Sequence, residues 1–388
     1  MRCALLLALI APAMALAATV ETLDGERLIG ASAAVLAESV AITPTASGAE
    51  PRRIRLADAH RIDFGAPAWR PADALRRQPP RPGGVEAVKV AQPTDDGVHL
   101  ADGGWLPGRV LAAERPDHVV VDGAWGRFLL PLAAVRAWGR PPLDGGTEDE
   151  LTQAGGSVRG RILGLRDGRL AFRSPLTPDP IPVADVVSLA MAVPTRPPRG
   201  LTLWHQARAD RPPLTLVRRV DGWSPAAAVS GTVPEPPWLR VESPRRLPLS
   251  ELAPAEVVET GAFGVVWPWR RDRDLDGEPL RLGGIWRQRG LSVHSAATMS
   301  WQLTQPVVRL RAELGIADAV APEGDCVVVL ASDRGELGRY RLRGTERPIP
   351  LDLDLSGARR LTLVVELGER YDIGDHVVLA DAALIRPR

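Results

Sequence analysis

The sequence is poor in cysteine, tyrosine, phenylalanine and lysine, and each shortage excludes something. Only two of its 388 residues are cysteine, Cys3 and Cys326. Cys3 falls in a segment that reads as removable, so the remaining chain predicts no intramolecular disulfide and must be held by core burial. Beyond the N-terminus no apolar run approaches the ~18 residues needed to cross a bilayer as a helix, which excludes a helical membrane bundle. One lysine, Lys89, stands against a Lys+Arg total of 48, so the positive charge is almost wholly guanidinium. That charge faces 47 acids, leaving no electrostatic case for nucleic acid as a partner. Catalytic signatures are missing as well: no G-x-S-x-G, no H-E-x-x-H, and no metal-ligand spacing among His60, His99, His118, His205, His294 and His376. Cys326 sits in a β-branched run, DCVVVL, and predicts inert core.

What is abundant is punctuation, with 37 Gly and 37 Pro spread along the chain. The first segment, MRCALLLALIAPAMALA, has Arg2, a short apolar stretch and Ala15-Leu16-Ala17, the pattern of a secretory signal peptide cleaved after Ala17. Export to the periplasm, the cell surface or the medium follows as an expectation. From Thr19 to about Thr260 short apolar, β-branched runs alternate with Gly, Pro and Asp-Gly turns, and helical periodicity is scarce. One pattern returns four times: IRLADAHRI from Ile54, LPLAAVRAW from Leu130, IPVADVVSL from Ile181 and LPLSEL from Leu247. Three copies follow a glycine that opens an earlier apolar run, at Gly30, Gly108 and Gly160. A glycine so placed marks a bend or a close backbone approach. The copies therefore predict β-units at 18–66, 85–142 and 150–195, built as β-hairpin repeats or closed as small barrels. A Pro-rich linker with a partial unit is expected at 196–254, and the stretches 67–84 and 191–213 read as linkers.

The last block, 255–388, alternates more cleanly. Val308, Leu310, Ala312 and Leu314 point one way and Arg309, Arg311 and Glu313 the other; Leu351, Leu353 and Leu355 repeat this against Asp352 and Asp354. Six or more strands separated by Gly, Pro and Asp turns predict a β-sandwich, making the whole chain all-β. Five segments of this block stand in a characteristic order: RRDRDLDGEPLRLGG from Arg270, RGLSVHS from Arg289, RAELGIADAV from Arg311, LSGARRLTLVVELG from Leu355 and DIGDHVVLADAALI from Asp372. In that order and spacing they resemble the NPCBM family of carbohydrate-binding modules, which are similar to galactose-binding jelly rolls. The resemblance spans about residues 256–387 and implies a jelly-roll fold and a carbohydrate ligand. It places the family's glycine-then-histidine signature on Gly290 and His294, its Gly-Asp turn on Gly315 and Asp318, and its aspartate-histidine pair on Asp375 and His376, with Asp381 in the closing strand. Two positions depart from the pattern: Leu379 stands where a tryptophan is usual, and the mid-domain turn reads Asp333-Arg334-Gly335.

A sugar module stacks a pyranose face on an aromatic ring and bonds its hydroxyls to Asp, Asn, His or Arg. The candidate ligand-binding residues are Trp286, His294, Asp318, Asp333, Tyr340, Tyr371, Asp375 and His376. Trp301 alternates with Leu303 and predicts core, Tyr371 lies in a polar turn, and Trp267 and Trp269 fall in the lead-in segment and are set aside. The histidines and Asp375 read equally as a buried polar network tying the ends of the sandwich. Asp272, Asp274, Asp276 and Gly277 make the D-x-D-x-D-G opening of a calcium loop, but its twelfth position is Gly283 and its eighth is Pro279, so an acidic turn beside Arg271 and Arg273 competes with calcium. No catalytic residue and no other cofactor is expected. The reading is an exported, non-enzymatic modular protein binding glycan or cell-envelope polysaccharide; its rivals are a structural component of the envelope that binds envelope proteins, and a divergent glycoside hydrolase needing paired carboxylates across a cleft.

Overall fold

The computed structural model describes residues 17–46, 48–65, 97–139, 147–175, 180–193, 195–196, 198, 200–206, 208, 211–261 and 264–388. The signal peptide and the 67–84 linker lie outside the described residues, apart from Ala17. Among the described residues every regular element is a β-strand or a single 3-10 turn, paired throughout in antiparallel ladders. No described helix is long and apolar enough to cross a membrane.

The fourfold sequence pattern is one local structure made four times. Arg55, Pro131, Pro182 and Pro248 hold extended backbone with φ of −61°, −60°, −58° and −59°. Each leads into a 3-10 turn, at Leu56–Asp58, Leu132–Ala134, Val183–Asp185 and Leu249–Glu251. In every turn the N–H of the following residue closes on the carbonyl of the first, and that first apolar side chain is buried. Proline suits the lead position because its ring fixes φ near this value and it has no N–H to satisfy. The three glycines do what the sequence demanded of them. A Cβ on Gly30 would stand 2.3 Å from the Thr43 carbonyl oxygen and one on Gly160 2.2 Å from that of Arg173, so backbone passes where no side chain fits.

The repeats do not close into barrels, and they do not stand apart. Residues 18–66 and 196–254 build one seven-stranded sheet, ordered Arg27–Gly30, Ala18–Thr22, Ala59–Asp63, Trp238–Glu242, Thr202–His205, Leu214–Arg219, Gly222–Pro225. The region expected as a linker with a partial unit thus supplies four strands to it. A second, eight-stranded sheet mixes strands of the next two repeats, with Asp149–Gln153 and Val135–Trp138 both flanking Ser188–Ala190. A single apolar core, including Val20, Phe128, Leu170, Leu203 and Leu239, runs through all of them. The reason is area: a lone hairpin buries too little apolar surface to be stable, so the copies share strands and core.

The C-terminal block is the expected sandwich. One sheet runs Arg270–Arg271, Gly290–Val293, Val377–Ile385, Arg309–Ile316, Ile349–Asp354; the other runs Glu256–Glu259, Ala297–Gln302, Arg360–Leu367, Asp325–Ser332, Gly335–Arg343. Between them lie Leu291, Trp301, Leu310, Leu314, Cys326, Val328, Leu363 and Leu379. Trp301 is core as its alternation predicted, at 1% exposure, and Leu379 also packs in this core.

Arg311 departs from its pattern. Alternation points it outward, yet it is 6% exposed and pairs with Glu21 and Asp352 at 3.1 and 3.0 Å. The outer face of this sheet is covered by the N-terminal half, which converts a solvent face into an interface. Arg246–Pro248 from the fourth repeat extends the sheet by pairing with Val377–Ile385. Arg245 clamps the junction, donating to Asp58 and Asp24 at 2.8 Å each and to the Arg386 carbonyl.

Candidate functional site

Two strands of the sandwich end side by side and carry one histidine each. Val293 and Val377 are directly paired in the antiparallel register of Gly290–Val293 with Val377–Ile385. His294, one residue past the first, therefore lies opposite His376, one residue before the second, and their rings meet edge to face with centroids 5.6 Å apart. Ala296, at φ +57°, then turns the chain into Ala297–Gln302. On the other side the loop 368–376 is tied down by Asp375, whose Oδ1 accepts the Asp325 N–H at 2.8 Å.

Trp267 completes the group. Its indole stacks near-parallel to His294 at 6.0 Å and tilts over His376 at 5.4 Å, yet it stays 39% exposed. Together with Val265, Asp372, Ile373 and Gly374 these rings line an open pocket of about 320 Å³. Val265, Val266 and Ile373 are exposed beside it, giving the indole an apolar surround.

Burial shapes the electrostatics. It lowers the pKa of His294 and of His376, the latter helped by repulsion from His294, so both imidazoles are neutral at pH 7. In each the Nδ1 is buried and has no hydrogen-bond partner, so it is not the nitrogen that faces the pocket. The other ring nitrogen of a neutral imidazole is a donor or an acceptor according to tautomer, and a sugar hydroxyl complements either. Burial raises Asp375 to about 6, with Asp325 and Asp372 adding repulsion and the Asp325 N–H opposing it. Asp375 is 1% exposed and acts from inside, holding the loop.

Of the candidate residues, the fold brings His294, Asp375 and His376 together and places the others elsewhere. Tyr371 is 62% exposed at φ +59° in the same loop but does not line the pocket. Trp286 lies on the opposite, covered side, with Arg281 5.7 Å from its ring and its carbonyl accepting from Gln206. Tyr340 packs against the core from the strand Gly335–Arg343, on the other sheet. Asp333 is spent on the backbone N–H groups of Arg359 and Arg360, which hold its carboxyl below the usual range. Asp318 accepts from the N–H groups of Gly283 and Gly284 and braces that turn.

The three aspartates of the calcium-like segment do not converge. Asp272 turns to accept the Gly290 N–H at 2.9 Å, while Asp274 accepts the Glu278 N–H at 2.7 Å and closes a turn. Among the described residues no three His, Cys, Asp or Glu side chains gather as a cation site. Arg273 donates to the Gly277 carbonyl of the same turn.

Sequence reasoning missed Trp267. It set the lead-in segment aside because nothing in VVWPWR betrays that the chain there runs past two strand ends 27 and 109 residues downstream.

The fold is a two-sheet antiparallel β-sandwich with an aromatic pocket at one end. The C-terminal third, residues 245–385, matches the model of the NPCBM/NEW2 domain family. No curated protein matches the chain. Among solved structures it is similar to the CBM51 module of Clostridium perfringens GH95 in complex with methyl-galactose, at 18% identity, covering 36% of this chain and 99% of that one, TM-score 0.33. It is also similar to the CBM51-2 and INT domains of C. perfringens ZmpB in complex with GlcNAc, at 18% identity, 45% and 36% coverage, TM-score 0.34. A third likeness is to the tandem CBM51 modules of the Streptococcus pneumoniae family 98 glycoside hydrolase, at 9% identity, 75% and 88% coverage, TM-score 0.33.

Proposed function

We propose that this chain is an exported, non-enzymatic modular protein whose C-terminal module binds carbohydrate, as free glycan or cell-envelope polysaccharide, at the Trp267 pocket. The observation that carries the reading is the exposed indole set over two neutral imidazoles at the open end of the sandwich that matches the NPCBM/NEW2 family model. The indole offers an apolar platform for a pyranose face, and the imidazoles of His294 and His376, which line the pocket beside it, each leave one ring nitrogen to meet a hydroxyl. The pocket is shallow, which suits a terminal residue or a single unit of a chain rather than a buried ligand.

The test is a glycan array probed with the chain lacking residues 1–17, beside Trp267→Ala and Tyr371→Ala, with and without calcium. Methyl-galactose and GlcNAc derivatives head the panel. Saturable binding abolished by Trp267→Ala supports the reading, and a calcium requirement would restore the metal to it. A folded protein that binds no glycan would sink it in favour of an envelope component that binds proteins.

A further inference from the structure

A second cavity lies away from the loop-end pocket. It measures about 550 Å³ and lies between the seven-stranded sheet and the outer face of the sandwich. That volume falls within the usual range of small-molecule sites. Three tryptophans line it: Trp204 and Trp238 from the N-terminal half, and Trp286 from the sandwich. It opens to solvent at Arg61, Glu21 and Asp352, whose side chains are 45%, 38% and 39% exposed.

Its polar lining is rich in donors and short of free acceptors. Arg61 lies 4.4 Å from the Trp238 ring centre and Arg240 4.7 Å from that of Trp204, so two guanidiniums are held flat against the walls. Arg287 and Arg311, 8% and 6% exposed, line the floor, and each has an Nε–H with no hydrogen-bond acceptor. The four carboxylates of the lining are all already paired: Asp381 serves Arg240 at 2.7 Å and Arg287 at 3.1 Å, Asp352 serves both Arg309 and Arg311, Glu313 pairs with Arg287 and Glu21 with Arg311. His60, also in the lining, is pushed well below its ordinary pKa by burial and by Arg246, Arg311, Arg240 and Arg61, which reports a positive local field.

We propose that this cavity is a second ligand site, distinct from the Trp267 pocket, and that it takes a saccharide bearing a carboxylate, a uronate unit. Indole walls fit the ring, guanidinium forks fit the carboxylate, and the shared acids accept hydroxyl protons at its edge. The site exists only where the two halves meet, which gives the N-terminal repeats a role as one wall of a binding site.

The experiment is titration calorimetry on the chain lacking residues 1–17, with mono- and disaccharides carrying glucuronate or galacturonate, each beside its neutral counterpart. The expected result is one uronate site per chain, with the neutral sugar at least tenfold weaker and affinity falling as salt is raised. Arg61→Gln, at the exposed rim, should weaken uronate binding about fivefold or more with an unchanged melting temperature, and Trp286→Ala should weaken it from the opposite wall. Trp267→Ala should leave it intact, which separates this site from the loop-end reading. No uronate binding, equal binding of acid and neutral sugar, or loss in Trp267→Ala alone would each overturn the proposal.

Discussion

Asp375 offers a direct check on the physical account of the loop-end pocket, through Asp375→Asn. The carboxyl is 1% exposed and burial moves its pKa from the ordinary 3.8 to about 6. Because the folded pKa is raised, the folded protein holds a proton that the unfolded chain releases. Stability from this group is therefore full below pH 3.8 and is lost as pH rises through about 6. A rise of that size corresponds to at most about 3 kcal/mol. The loop end is open to water, and screening there reduces the expected effect to about 1–2 kcal/mol. Asparagine keeps the oxygen that accepts the Asp325 N–H at 2.8 Å, so the loop stays tied down while the charge disappears. Denaturant unfolding of both proteins at pH 4 and pH 7.5 measures the effect. The variant should gain about 1–2 kcal/mol on the wild type between those two pH values, and the difference should level off above pH 7. A difference that does not change with pH, or that moves the other way, would refute the assignment of Asp375 as a buried, destabilised carboxylate. The histidines do not confuse the comparison, because they titrate in both proteins.

Trp267→Ala should reduce glycan affinity by about tenfold or more, the usual scale for losing an aromatic platform, with little change in melting temperature; Trp286→Ala should leave that affinity unchanged. Lowered His294 and His376 pKa values mean that binding at the loop end should hold from pH 8 to below 6.5 and weaken as the imidazoles charge and lose their acceptor nitrogens, seen in a pH series of binding titrations. Arg245→Met leaves Asp58 and Asp24 without their shared partner at the junction and should cost about 3 kcal/mol in unfolding free energy. Gly30→Ala sets a methyl 2.3 Å from the Thr43 carbonyl oxygen and should destabilise by about 1–3 kcal/mol, read as a lower denaturation midpoint.

The parts of this molecule that local chemistry determines could be read from its residues. The LPL and IPV motifs marked a recurring strand and its exit, and the structure makes that exit a proline-led 3-10 turn, in which a fixed φ is followed by one buried apolar side chain. Period-two alternation specified the sandwich strands, and placed Trp301 and Leu310 in its core, because a strand with one buried face repeats every second residue. The pairing of Val293 with Val377 was not legible, since register between segments 84 residues apart depends on every strand between them. Its consequence, the meeting of His294 and His376, was legible only through the resemblance that singled both out. Trp267 had no such pointer. Neither did the burial of Arg311, which alternation assigned to solvent and which a second half of the same chain covers.

That covering explains why the repeats are not independent beads. Had they closed as small barrels, the outer face of the sandwich strand Arg309–Ile316 would meet water, and Arg311 would need no Glu21. Instead one half supplies Glu21, Arg61, Arg240 and Arg246, the other supplies Arg287, Arg311, Glu313, Asp352 and Asp381, so an excess of guanidinium on one side meets an excess of carboxylate on the other. Asp381 makes the dependence concrete. It sits at φ +50° in a strand whose register slips between Arg311 and Glu313, which turns its carboxylate to the covered face. There Arg240 of the other half, Arg287 and Arg246 hold it ionised down to about pH 2 against the cost of burial. Because that folded pKa is lowered, its contribution to stability is present above 3.8 and disappears as pH falls through about 2. Removing the Arg240 charge would leave a buried carboxylate underpaired, so Arg240→Met should raise the acid-unfolding midpoint of the whole chain, and the two halves should unfold together rather than in two steps. Separate transitions would mean that the interface contributes little and that the sandwich stands without its partner.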